Sequence, residues 1–162
     1  MARRVFFSFH YDRDVVRVSQ VRNCDVVTSD FTQDDFLDAA DWETVKKGGD
    51  AAIKKWIDTQ LIGTSVTVVL IGRETSERKY VKYEIEQSWN TGNGMIGIYI
   101  HNARNFAGQT DIKGANPFET FHMGDNQNDK LSNHVKTYDW INDNGRQNIG
   151  AWIEQAAKDR GR

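Results

Sequence analysis

One cysteine, Cys24, occurs in 162 residues. A lone thiol excludes an internal disulfide framework and a thiolate metal cluster. The one proline, Pro117, lies in a loop-like segment, and no linker divides the chain. No apolar run approaches the ~20 residues that a membrane span requires. Met1-Ala2-Arg3-Arg4-Val5 carries two basic residues but lacks the apolar stretch of a secretion signal. A cytoplasmic address with no membrane partner is therefore expected. Neither sign of charge dominates, with 21 basic and 23 acidic side chains and a formal net charge of -2. That balance excludes a polycationic nucleic-acid binder and an acidic tail. A glycine-rich dinucleotide fingerprint, a phosphate loop, a His-Glu-x-x-His helix and a Cys-x-x-Cys pair are all missing. The four histidines, His10, His101, His122 and His134, are scattered, so no metal site is expected.

What the chain does contain is an alternation of apolar patterns. Hydrophobic residues make up 38 %, and the length suits one domain spanning 1–162. Val5-Phe6-Phe7-Ser8-Phe9 reads as a buried strand. A helix to about Asn23 follows, with Asp12 or Asp14 available as its cap. From Asn23 to Val45 there is no Lys or Arg, which predicts a solvated acidic loop with a short strand near Phe36-Leu37. Asp50 is placed to cap a helix whose stripe is Ile53, Trp56, Ile57, Gln60 and Leu61 and whose end is Gly63. Val66-Thr67-Val68-Val69-Leu70-Ile71 is nearly continuous in apolar character, as in strands covered on both faces. A helix over about Tyr80–Asn90, a strand over Ile96–Ile100 and a closing helix around Ile149–Ala157 complete an α/β doubly wound pattern. Between Asn102 and Asn133 the composition turns to Gly, Asn, Asp and Gln, which predicts a loop-rich excursion. Val135–Trp140 is a candidate return to the sheet.

The helix over Tyr80–Asn90 carries the candidate chemistry. At ~100° per residue, Val81, Ile85, Ser88 and Trp89 share the face that packs on the sheet. Lys82 and Glu86 point away. Tyr80 and Glu84, four apart, sit on the shoulder between core and water, where they could line a cleft or simply be a half-exposed pair.

Together, Val5-Phe6-Phe7-Ser8-Phe9 and Tyr80-Val81-Lys82-Tyr83-Glu84-Ile85 resemble two motifs of Toll/interleukin-1 receptor (TIR) domains: the first strand and the helix of the catalytic glutamate. The match is nearer to the bacterial TIR-like subgroup of Thoeris antiphage defence. It runs through Arg4–Tyr11, Thr64–Gly72, Asn116-Pro117-Phe118 and Tyr138-Asp139-Trp140, in the same order, over roughly residues 3–140. The resemblance implies a flavodoxin-like three-layer α/β sandwich with a mainly parallel central sheet. It implies cleavage of the bond between nicotinamide and ribose in NAD, with NAD as substrate and no cofactor. Glu84 would take the catalytic role. Ser8, Phe9, His10 and Tyr11 would line the pocket. Tyr80 stands where many TIR enzymes have tryptophan. Asp38–Lys46 would be the mobile loop after the second strand, with Asp41 and Trp42 as substrate contacts; Trp42 could equally be tucked against the domain.

The chemistry is consistent with those residue types. Nicotinamide leaves as a neutral molecule, so no general acid is needed. The cost is the cationic character at the ribose carbon, which a fixed carboxylate stabilises. An aromatic ring can stack on a flat base. Attack by water would give ADP-ribose, attack by an internal hydroxyl a cyclic isomer, and attack by a separate nucleophile a conjugate. The resemblance favours a cyclic or otherwise modified ADP-ribose that acts as an immune signal. The expected partners are a nucleotide-sensing effector and, for activation, self-association or a phage-derived trigger. The competing reading is a non-catalytic TIR-like module for phage sensing or assembly. A phosphoacceptor domain needs an aspartate at the end of the third strand, where this chain has Leu70-Ile71-Gly72.

Overall fold

The computed structural model describes residues 2–33 and 39–162, with backbone alone for 39–41. Five parallel strands form the main sheet in the order β2-β1-β3-β4-β7. They are β1 (Arg3–Ser8), β2 (Phe31–Gln33), β3 (Val66–Ile71), β4 (Gly94–Tyr99) and β7 (Lys136–Asp139). The helices between them are α1 (Tyr11–Arg22), α2 (Asp25–Asp30), α3 (Ala39–Lys47), α4 (Gly49–Leu61) and α5 (Lys79–Asn90), with α6 (Gly145–Asp159) closing the chain. The α/β sandwich anticipated from the apolar pattern is the fold observed.

Alternation along the strands assigns the two faces. Val5, Phe7, Val66, Val68, Leu70, Ile96 and Ile98 pack with Val18 and Val21 of α1, Val27 of α2, and Ile149 and Ile153 of α6. On the other face, Val69, Ile71 and Met95 meet Val81 and Ile85 of α5, while Phe6 meets Ile53, Ile57 and Leu61 of α4. All six residues of β3 are buried, as a central strand covered on both sides requires.

The strand order fixes where a ligand can sit. The chain leaves β1 for β2 on one side and returns as β3 on the other. Crossovers that diverge in this way open a crevice at the carboxyl ends of the two strands. α5 is anchored beneath that crevice by a buried hydrogen bond from Thr67 Oγ1 to Ser88 Oγ at 2.8 Å. One turn earlier on the same helix face comes Glu84.

Several local expectations are revised. The acidic stretch is not one loop: Asp25–Asp30 and Ala39–Lys47 are helical and Phe31–Gln33 is a strand. Acidic residues are compatible with helix where a tertiary face exists to bury Val27 and Phe31. The strand expected at Phe36-Leu37 lies outside the described residues, as does Asp38. Neither aspartate caps α1, whose cap is His10 without a side-chain bond. Asp50 does not cap α4 either, because Gly48 precedes the helix and the carboxylate is held by Lys79, Lys54 and Tyr80. Gly63, with φ of +80°, ends α4 as expected.

The Asn102–Asn133 excursion is more ordered than its composition predicts. It holds a hairpin of β5 (His122–Met123) and β6 (Asn126–Lys130). Phe118 and Leu131 reach back into the core on the α5 side. Ala103 and Pro117 are buried as well, and Phe121 and Met123 pack against the same cluster, so a few apolar anchors fix a segment that is otherwise mostly exposed.

Candidate active site

At the carboxyl end of β1 the sheet gives way to Phe9, His10 and Tyr11, and the last of these begins α1. Facing them is the first turn and a half of α5. Between lies a cleft enclosing about 650 Å³, open mouth included. Six residues proposed from the sequence line it together: Phe9, His10, Tyr11, Trp42, Tyr80 and Glu84.

Glu84 is 7 % exposed and thus more buried than a shoulder position implies. It stands one turn above the anchored Ser88 and next to buried Ile85. Packing of α5 on the sheet carries it inward, with Val81 beside it in the cleft wall. A carboxylate in an apolar cleft acts through a low effective dielectric, which strengthens its effect on nearby charge.

The opposite wall is aromatic. Phe9 and Tyr11 stack with centroids 5.9 Å apart, Tyr11 lies 5.3 Å from Trp42, and Trp42 lies 6.1 Å from Trp56. Trp42 is carried on α3 rather than on a loop. Lys46 steadies it, with its ammonium 5.9 Å from the ring and bonded to Asp12 Oδ1 of α1 at 3.4 Å. The Trp42 indole N–H is buried with no hydrogen-bond partner among the described residues. A donor in that state is available to a ligand acceptor. Tyr80 presents its ring to the cleft while its hydroxyl donates to Asp50 Oδ1 at 2.9 Å. With Lys79, that bond holds the exposed Asp50 carboxyl down at about 2.

His10 is buried, and burial lowers its pKa, helped by the Arg78 guanidinium; Asp14, Asp12 and Glu74 oppose the shift. A neutral imidazole therefore faces the cleft at pH 7.

Two proposed residues do not join this set. Ser8 is fully buried and, although alternation puts it with Phe6 on the α4/α5 side of the sheet, it is not among the residues that line the cleft. The Asp41 side chain lies outside the described residues. The structure adds Phe7, Asp12, Arg22, Trp56, Ile57 and Arg78 to the lining. Trp56 and Ile57 were legible only as part of a core stripe. Arg22 is 4 % exposed, and no sequence pattern marks an arginine for burial. Arg78 stands two residues before Tyr80, so its nearness to the helix motif was its one signal.

A parallel sheet with an acidic, aromatic cleft at its switch point, walled by the start of α5, the crossover helix between β3 and β4, defines a TIR-like domain. The family model described as "Thoeris protein ThsB, TIR-like domain" matches residues 6–105, and the chain belongs to that family. It is 34 % identical to the protein named "Putative cyclic ADP-D-ribose synthase ThsB1" from Bacillus cereus (strain MSX-D12), over 94 % of this chain and 100 % of that one.

Proposed function

We propose that the protein cleaves NAD, releases nicotinamide and converts the remaining ADP-ribosyl group into a cyclic or otherwise modified ADP-ribose. The observation that carries this reading is Glu84: a carboxylate 7 % exposed, set in an aromatic cleft at the sheet's switch point. As the carbon–nitrogen bond to nicotinamide breaks, both bonding electrons leave with the neutral base. Positive charge grows on the ribose carbon and its ring oxygen. The Glu84 carboxylate opposes that charge more strongly in the transition state than in the ground state, which is the condition for faster reaction. Tyr11, Trp42 and Tyr80 supply flat faces for nicotinamide or adenine.

A new bond to the ribose carbon then completes the reaction. An oxygen or nitrogen of the same molecule gives a cyclic product and one proton. The aromatic walls restrict water and so favour an internal nucleophile, in keeping with the synthase name of the relative. NAD is the substrate and no cofactor is required. The product's receiver is a separate effector protein that senses the nucleotide, and the enzyme works in the cytoplasm with its substrate. Activation involves a phage-derived trigger or self-association.

The test is incubation with NAD in lysates of infected and uninfected cells, with mass spectrometry of the nucleotides. Nicotinamide release with a matching ADP-ribose isomer is expected. Defence that persists with no loss of NAD in either lysate would favour a non-catalytic sensing module instead.

A further inference from the structure

We propose that Arg78 recognises the diphosphate of the substrate and so restricts the enzyme to pyridine nucleotides that carry phosphate. This rests on the NAD-cleaving reading above and assigns the part of the cleft that Glu84 does not explain.

Two guanidinium groups line the cleft, Arg22 and Arg78, and Arg22 is buried with its guanidinium 5.2 Å from the Phe7 ring centroid. Cations around the cleft are ion-paired. Lys46 is bonded to Glu43 at 2.9 Å and to Asp12 at 3.4 Å. Lys79, next to Arg78, is tied to Asp50 at 2.7 Å. Further along α1, Arg13 is shared among Asp14, Glu74 and Asp111. The Arg78 side chain lines the cleft yet has no hydrogen bond or ion pair among the described residues. Its charge reaches inward, since it is one reason His10 stays neutral. No acidic residue stands in the first turn of α5 to neutralise it locally. Asp12, the carboxylate that lines the cleft besides Glu84, is engaged by Lys46.

The spacing suits a dinucleotide. Arg78 and Glu84 are six positions apart, about 9 Å along a helix axis. In NAD, one ribose and its C5′ carbon separate the scissile carbon from the first phosphate. With the ribose carbon beside Glu84, the diphosphate falls toward the start of α5, where the guanidinium can offer paired donors to phosphate oxygens. A cationic group there also offsets the repulsion between phosphate and the Glu84 carboxylate.

The test uses full-length Glu84→Gln, which slows turnover, and measures binding of NAD and of nicotinamide riboside by titration calorimetry. Adding Arg78→Ala is expected to weaken NAD binding by about 10- to 100-fold, the range of a charged hydrogen-bonded contact. Riboside binding should be unchanged, and Arg78→Lys should recover part of the loss. Arg73→Ala, an exposed cation outside the cleft, should have no effect. NAD binding within twofold of the parent after Arg78→Ala would overturn the proposal. So would an equal loss for NAD and riboside, which would indicate damage to the cleft rather than a lost phosphate contact. If the Glu84→Gln parent binds neither NAD nor riboside, while its melting curve is normal, the NAD reading itself fails and takes this assignment with it.

Discussion

Replacing Glu84 with glutamine changes one charge and almost no shape, so it isolates the electrostatic role. For a carboxylate about 4 Å from a developing unit charge, the interaction is about 4 kcal/mol at an effective dielectric near 20, and about 1 kcal/mol in bulk water. At 1.36 kcal/mol per decade, these limits correspond to about 10³ and about fivefold in rate. Glu84 is 7 % exposed and lies against Val81 with aromatic rings across the cleft, so the larger limit applies. Full ionisation of the ribose is not reached in the transition state, which brings the expected loss in kcat to about 10²–10³. The assay is nicotinamide release at saturating NAD under activating conditions, followed by mass spectrometry. The melting temperature should stay within about 3 °C of wild type, a shift of roughly 1 kcal/mol. A kcat above one-tenth of the wild-type value, with normal folding, would refute the assignment: Glu84 would then be a buried structural carboxylate in a cleft whose chemistry is done elsewhere.

Trp42→Ala should raise KM for NAD by about tenfold or more and change kcat less, because it removes an aromatic wall and an unpartnered indole donor; steady-state kinetics read this directly. His10 has its pKa lowered by burial and by Arg78, so the unfolded chain binds its proton more readily than the native one. Stability from His10 is therefore complete above about pH 6.5 and is lost as pH falls below it; His10→Gln should flatten that limb of a melting-temperature profile. Gly94→Ala should destabilise the fold by about 1–3 kcal/mol. Its added methyl would sit within 2.8 Å of the Ala157 amide nitrogen and closer still to the Ala156 carbonyl, both in the α6 backbone. A drop of roughly 3–10 °C by calorimetry is expected.

Local pattern was a good guide wherever burial was two-sided. β3 could be read from Val66 to Ile71 because every residue of a central strand is apolar or small, and α5 because its apolar stripe repeats at helical spacing. It was a poor guide between Asn23 and Val45. There the missing cations indicated solvation, whereas packing of Val27 and Phe31 against α6 and β1 makes helix and strand. The same limit applies to the excursion, where a few scattered apolar residues such as Phe118 and Leu131 make the attachment to the core.

The amino-acid sequence by itself determined the alternation of strands and helices, the family motifs and the identity of Glu84, Tyr80 and the Phe9-His10-Tyr11 turn. These are properties of near neighbours in the chain. Only the tertiary structure decided that Glu84 is buried, that Ser8 is left out of the cleft lining, and that Trp42, Trp56 and Arg78 meet there. Those facts depend on how α3, α4 and α5 cross the end of β1. Contacts between residues tens of positions apart leave no periodic trace in a sequence.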